Sequence, residues 1–181
     1  TMNNSFVRLN PCKINNIQNK IAQQYITYKK KQIIDYLIDK SLDSNLFNKI
    51  LVFTNNLKRL KKKKYPQIVK IIRGGKERSD SSLIALKYLK RYKPKNVFVH
   101  DAARPNFSIK LLKNLANNLK NYKAVVPIIK SKDSIKYKTQ NQIFTLNRDN
   151  WLLTQTPQAI RFKDSYEFAK NQKNKQTDKE T

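Results

Sequence analysis

Apolar and polar positions along the 181-residue chain follow two different periods. Short runs rich in β-branched and aromatic residues recur at Ser5 to Leu9, Lys49 to Thr54, Gln67 to Ile72, Asn96 to His100 and Ala124 to Ile129, and such runs read as strands of a buried sheet. Between most of them the period lengthens to that of a helix. Ile33, Ile34, Leu37, Ile38 and Leu42 fall on one face, as do Leu83, Leu86 and Leu89, and then Leu111, Leu112, Leu115 and Leu119. Alternation of this kind predicts βαβ units, and hence an α/β fold with a mostly parallel sheet flanked by helices. Ligands of such sheets sit at the carboxyl ends of the strands.

The pattern then changes. Ser134 to Lys138 and Gln142 to Leu146 alternate around the polar turn Thr139-Gln140-Asn141, which predicts a β-hairpin. A hairpin inserted in a parallel sheet is expected to project as an arm, here over about residues 130–155. Residues 171–181, NQKNKQTDKET, carry no apolar periodicity and are expected to fray, leaving 1–170 as a single domain.

Composition narrows the function classes. No apolar run approaches the roughly 20 residues of a bilayer crossing, so the expectation is a cytoplasmic protein with no membrane partner. One cysteine, Cys12, makes no internal disulfide, and one histidine, His100, cannot complete a Cys/His zinc cluster with it. Lys and Arg number 39 against 12 Asp and Glu, a formal charge of +27. Lys, Asn and Ile together supply 70 of the 181 residues, as an AT-rich coding sequence would, and the lysines are spread along the chain rather than gathered with aromatics. A nucleic-acid partner is therefore not expected, although a positive field still concentrates anionic substrates.

Candidate chemistry gathers in three places. The chain holds only two glycines, the adjacent Gly74 and Gly75, where average usage of about 7% would give roughly a dozen. They follow a predicted strand and precede a predicted helix with Ser81 near its start. Backbone there can approach a ligand closely, and a helix amino end favours anions; an ordinary capped turn is the alternative. The strand VFVH runs into Asp101-Ala102-Ala103-Arg104-Pro105. A carboxylate at a strand tip suits Mg²⁺ beside phosphates, and an arginine three residues on suits a phosphate clamp; a structural ion pair between Asp101 and Arg104 is the alternative. His100 reads as a hydrogen-bonded sheet-end histidine. The third cluster, NRDNWLLTQTPQAIRF, places Arg148 at the close of the arm and Thr156 beside a rigid Pro157, with Trp151 read as a packing residue.

In this order the segments QYITYKKKQIIDY, GGKERSDSSLIAL, VFVHDAARP, KDSIK and NRDNWLLTQTPQAIRF resemble the 2-C-methyl-D-erythritol 4-phosphate cytidylyltransferase family. The resemblance implies a Rossmann-like domain whose arm forms a homodimer. It also implies a reaction in which methylerythritol phosphate attacks the α-phosphorus of CTP, with Mg²⁺ present, to give a diphosphocytidyl product and pyrophosphate. Position by position, it assigns Gly74, Gly75, Ser81 and Ala102 to the nucleotide, and Asp101, Arg104, Ser134 and Thr156 to the second substrate. Asp101 would also meet the metal. Arg148 would act in catalysis on the attacking phosphate, supplied with Ser134 by the partner subunit.

Two departures stand out. The family's glycine-rich phosphate loop is replaced by LNPCKINNIQNKIAQQY, in which the loop glycines fall on Cys12 and Ile14, its arginine on Asn16 and its lysine on Gln23. Losing two transition-state cations at ~3 kcal/mol each implies a rate lower by on the order of 10⁴. The sequence also ends at QTDKET, where the family continues from a similar TD motif to a further substrate lysine. A catalytically impaired relative that still binds nucleotide is thus the alternative to an active enzyme.

Overall fold

The computed structural model describes residues 3–9, 25–28, 30–54, 56–61, 64–75 and 78–177. A central sheet is built from β1 (Asn4–Leu9), β4 (Lys49–Thr54), β5 (Val69–Arg73), β6 (Asn96–Asp101), β7 (Ala124–Val125) and β12 (Gln158–Arg161), while β2 (Thr27–Tyr28) pairs with β3 (Lys31–Gln32) in a separate ribbon and the short α2 (Leu57–Lys61) follows β4. Their order is β5-β4-β1-β6-β12-β7. The first four are mutually parallel, and β12 runs antiparallel to both β6 and β7. This is a mostly parallel, Rossmann-like sheet.

Strand alternation sends successive residues to opposite faces, and the two faces carry separate cores. Phe6, Ile50, Val52 and Phe98 point to one side, packed with Ile34, Leu37 and Ile38 of α1 (Ile33–Asp43) and Leu112, Leu115 and Ala116 of α4 (Ile109–Asn118). Their neighbours Val7, Leu51, Phe53 and Val97 point to the other, against Ala85, Leu86 and Leu89 of α3 (Arg78–Lys90) and Phe162, Tyr166 and Ala169 of α5 (Phe162–Thr177). Helices on both faces explain why these strands read as continuous apolar runs.

Three local outcomes differ from the sequence reading. The run Ala124 to Ile129 is not one strand: it breaks at Pro127 into β7 in the central sheet and β8 (Ile128–Lys130) outside it. Proline has no N–H for the ladder and ends the pairing. The backbone from residue 171, where the sequence shows no apolar periodicity, is helical to Thr177, and residues 178–181 lie outside the described residues. Phe162, Tyr166 and Ala169 anchor the first turns of α5, and an established helix propagates through residues of ordinary propensity at little cost. Thirdly, Trp151 stands exposed on the arm instead of packing in a core.

The arm itself forms as the alternation predicts. β9 (Ile135–Lys138) pairs with β10 (Ile143–Leu146) in a two-stranded ribbon, and β8 pairs with β11 (Leu152–Thr154) in another at its root. Neither ribbon joins the central sheet. Residues 10–24, which carry the loop positions Cys12, Ile14, Asn16 and Gln23, lie outside the described residues.

Candidate functional site

Register fixes which chain segments meet at the carboxyl end of the parallel strands. Leu9 of β1 lies beside Asp101 of β6, and Thr54 of β4 beside Arg73 of β5. The turn after β5 and the turn after β6 therefore leave the sheet at the same end. Three strand spacings separate them, or about 14 Å at ~4.8 Å each.

On the β5 side, the Gly74 N–H donates to the Thr54 carbonyl at 3.2 Å, and the Gly75 N–H donates to the Ser81 Oγ at 3.0 Å. The Ser81 side chain is buried and ties the turn to the first turns of α3. Gly75 is needed for close approach: a Cβ there would overlap that of Asp80 and lie 3.2 Å from both the Asp80 carbonyl carbon and the Ser81 nitrogen. Thr54 is a local hub. Its buried Oγ1 lies 2.6 Å from the Tyr25 hydroxyl and accepts the Asn56 N–H at 3.0 Å.

On the β6 side, Asp101 is mostly buried, and its Oδ2 lies 3.3 Å from the Arg104 Nε. Arg104 reaches the other way through Nη1 to the Gln155 Oε1 at 3.1 Å. The Thr156 hydroxyl sits 3.5 Å from the Asp101 backbone nitrogen. His100 is buried, its Nε2 2.8 Å from the Arg104 carbonyl oxygen and its ring edge-on to Phe107, which shapes the turn from beneath. Ala102 is also fully buried, so its side chain offers no surface to a ligand.

Asp101, Arg104 and Thr156 thus share one cluster, while Gly74, Gly75 and Ser81 form a second at the same sheet end. Ser134 and Arg148 belong to a third, at the base of the β9–β10 ribbon. Arg148 opens a 3-10 turn, Arg148–Asn150, and its Nη1 donates to the Lys132 carbonyl at 3.1 Å, two residues before the exposed Ser134. Gln155 and Thr54 escaped the sequence reading. Gln155 could have been found from its place beside Thr156-Pro157, whereas nothing in the sequence around Thr54 marks it.

Among the described residues there is no cluster of three or more His, Cys, Asp or Glu that could hold a metal ion. A lone strand-tip carboxylate fits magnesium in one way only, with phosphates and water completing the shell. Nor is any described helix long and apolar enough to cross a membrane.

The glycine turn, the acidic tip and the guanidinium stand at the carboxyl ends of a parallel α/β sheet, the end at which sheets of this class take their ligands. A family model for 2-C-methyl-D-erythritol 4-phosphate cytidylyltransferase matches residues 14–181, and the chain belongs to that family. It is 40% identical over 178 residues to the bifunctional enzyme IspD/IspF of Pelagibacter ubique, covering 98% of this chain and 48% of that protein. It is 30% identical to the 2-C-methyl-D-erythritol 4-phosphate cytidylyltransferase of Thermotoga neapolitana, covering 79% of this chain and 66% of that one. The chain therefore spans about half of the first relative and about two thirds of the second. Among solved structures, the Francisella tularensis 2-C-methyl-D-erythritol 4-phosphate cytidylyltransferase superposes with a TM-score of 0.79 at 28% identity, covering 99% of this chain and 82% of that one. The Anaerococcus prevotii 4-diphosphocytidyl-2C-methyl-D-erythritol synthase gives the same TM-score, 0.79, at 24% identity, covers 94% of this chain and 74% of that one, and speaks for the fold alone.

Proposed function

We propose that the chain is a cytidylyltransferase of the non-mevalonate route to isoprenoids, acting on CTP and 2-C-methyl-D-erythritol 4-phosphate. A phosphate oxygen of the second substrate attacks the α-phosphorus of CTP, and the bond from that phosphorus to the bridging oxygen of the β-phosphate breaks. The products are 4-diphosphocytidyl-2-C-methyl-D-erythritol and pyrophosphate. The observation that carries this reading is the Asp101–Arg104–Thr156 cluster at the tip of β6, on the same sheet end as the Gly75–Ser81 turn.

In this reading the turn at Gly74 and Gly75 lets the nucleotide lie against backbone, with Ser81 holding the turn. Arg104 and Thr156 receive the phosphate of methylerythritol phosphate, and Asp101 orients Arg104 and offers a carboxylate to Mg²⁺. The ion, when bound, offsets negative charge on the phosphates. Two polyanions must be held in line, so positioning and cationic neutralisation are the main contributions available to this protein.

The arm supports a homodimer. Ile128, Ile129, Ile143, Phe144, Leu152 and Leu153 are all exposed on it, more apolar surface than an isolated ribbon leaves in water without a partner. A second copy covering it would bring Ser134 and Arg148 toward its own β6 tip, where Arg148 is read as the catalytic group on the attacking phosphate. We further propose a cytoplasmic location.

The test is pyrophosphate release, measured with CTP, Mg²⁺ and methylerythritol phosphate and with each omitted in turn. Release that needs both substrates supports the reading; release from CTP alone, or with another acceptor in preference, would overturn it. Asn16 and Gln23 at the two loop cation positions favour a second reading, a relative that binds nucleotide without turnover. CTP binding without release would select it.

A further inference from the structure

We infer that Gln155 is a positioning residue, which holds the Arg104 guanidinium in its phosphate-binding pose from the root of the arm. The inference rests on the reading above, in which Arg104 meets the phosphate of methylerythritol phosphate.

Gln155 is held by both its ends. Its backbone N–H donates to the Pro127 carbonyl at 2.8 Å, between β7 and β8, while its side-chain oxygen accepts from the Arg104 Nη1 at 3.1 Å. Arginine has only donors, so the oxygen of the amide must be the atom that faces it. Asp101 meets the same guanidinium at Nε, 3.3 Å away. One hydrogen bond to Gln155 and one ion pair to Asp101, from different elements, thus hold the group at two of its nitrogens. Nη2 makes no hydrogen bond among the described residues, and the side chain is 52% exposed. A planar guanidinium fixed at two corners presents its remaining N–H groups in one direction, which lowers the ordering cost of binding a phosphate.

The chemistry of the second acceptor matters. A carboxylate would hold Nη1 more strongly, but with Asp101 already present it would neutralise the cation and repel an incoming dianion. An amide orients the arginine and leaves its charge available. Because Gln155 follows β11, which pairs with β8, a displacement of the arm's root is passed to Arg104 through this one side chain.

Calorimetric dissociation constants of the full chain for methylerythritol phosphate and for CTP, both with Mg²⁺, test the idea in wild type, Gln155→Ala and Gln155→Glu. Losing the hydrogen bond in Gln155→Ala should weaken methylerythritol phosphate by about three- to tenfold, with CTP within about twofold of wild type. Gln155→Glu should weaken it further, despite being nearly isosteric, and thermal unfolding should show both variants folded. A merely structural Gln155 would move both ligands together and be rescued by Glu. Unchanged methylerythritol phosphate binding in Gln155→Ala, equal losses for the two ligands, or wild-type binding in Gln155→Glu would each overturn the inference alone. A wild-type chain that binds neither ligand would overturn the underlying functional reading and this inference with it.

Discussion

Gly75→Ala is the most sharply defined perturbation in the molecule. The added methyl would overlap the Asp80 Cβ and press to 3.2 Å on the Asp80 carbonyl carbon and the Ser81 nitrogen, atoms of a helix start that cannot rotate away as a long side chain could. The turn must therefore lift from α3 and give up the 3.0 Å hydrogen bond from Gly75 to Ser81. Overpacking of this kind costs about 1–3 kcal/mol and the lost hydrogen bond about 1 more, or roughly 2–4 kcal/mol together. At about 2–4 °C per kcal/mol for a chain of this size, the unfolding midpoint should fall by roughly 4–16 °C. If the turn also seats the nucleotide, CTP affinity should drop at least about tenfold, since ~1.4 kcal/mol suffices. Ser81→Ala removes the same hydrogen bond without the overlap and should cost less; the double variant should lose less than the sum, because Gly75→Ala has already broken the bond. Differential scanning calorimetry and CTP titration read all three. A Gly75→Ala chain that melts within about one degree of wild type would refute the overlap argument outright.

Other perturbations test other parts of the account. Arg104→Ala should weaken methylerythritol phosphate by about 10- to 100-fold, the range of a lost charged hydrogen bond, and CTP much less; equal losses in titrations of both ligands would remove Arg104 from its place. Phe144→Asp with Ile143→Lys, on the exposed arm ribbon, should turn a dimer into a monomer in sedimentation velocity without changing the melting curve of the isolated fold. A wild type that sediments as a monomer would contradict the arm's assignment. Asn16→Arg with Gln23→Lys should raise the rate of pyrophosphate release by up to on the order of 10⁴, and no gain would show that these two positions do not face the triphosphate.

The parallel half of the sheet was legible because strands covered on both faces leave an unbroken apolar signature, as Lys49 to Thr54 does. The arm was legible for the opposite reason: its alternation around Thr139-Gln140-Asn141 is that of a ribbon with water or a partner on its sides. β12 was not legible. Its four residues, QAIR, look like loop, and only pairing between β6 and β7 makes them a strand. Trp151 misled because a large apolar side chain signals burial without saying whose surface buries it. At the site, glycine scarcity pointed to Gly75 and the strand tip to Asp101, since both depend on local sequence. Gln155 stands beside the marked Thr156-Pro157, but its partner lies 51 residues away along the chain, as the partner of Thr54 lies 29 away, and no local pattern names such partners.

The central claim is that the strand-tip cluster and the glycine turn bring the phosphate of one substrate to the α-phosphorus of the other. Phosphorus-31 NMR of the chain with CTP, Mg²⁺ and methylerythritol phosphate tests it most directly. A new pair of coupled diphosphate resonances should grow in step with free pyrophosphate and be lost in Asp101→Asn. Pyrophosphate or phosphate appearing without that coupled pair, or the pair growing unchanged in Asp101→Asn, would contradict it.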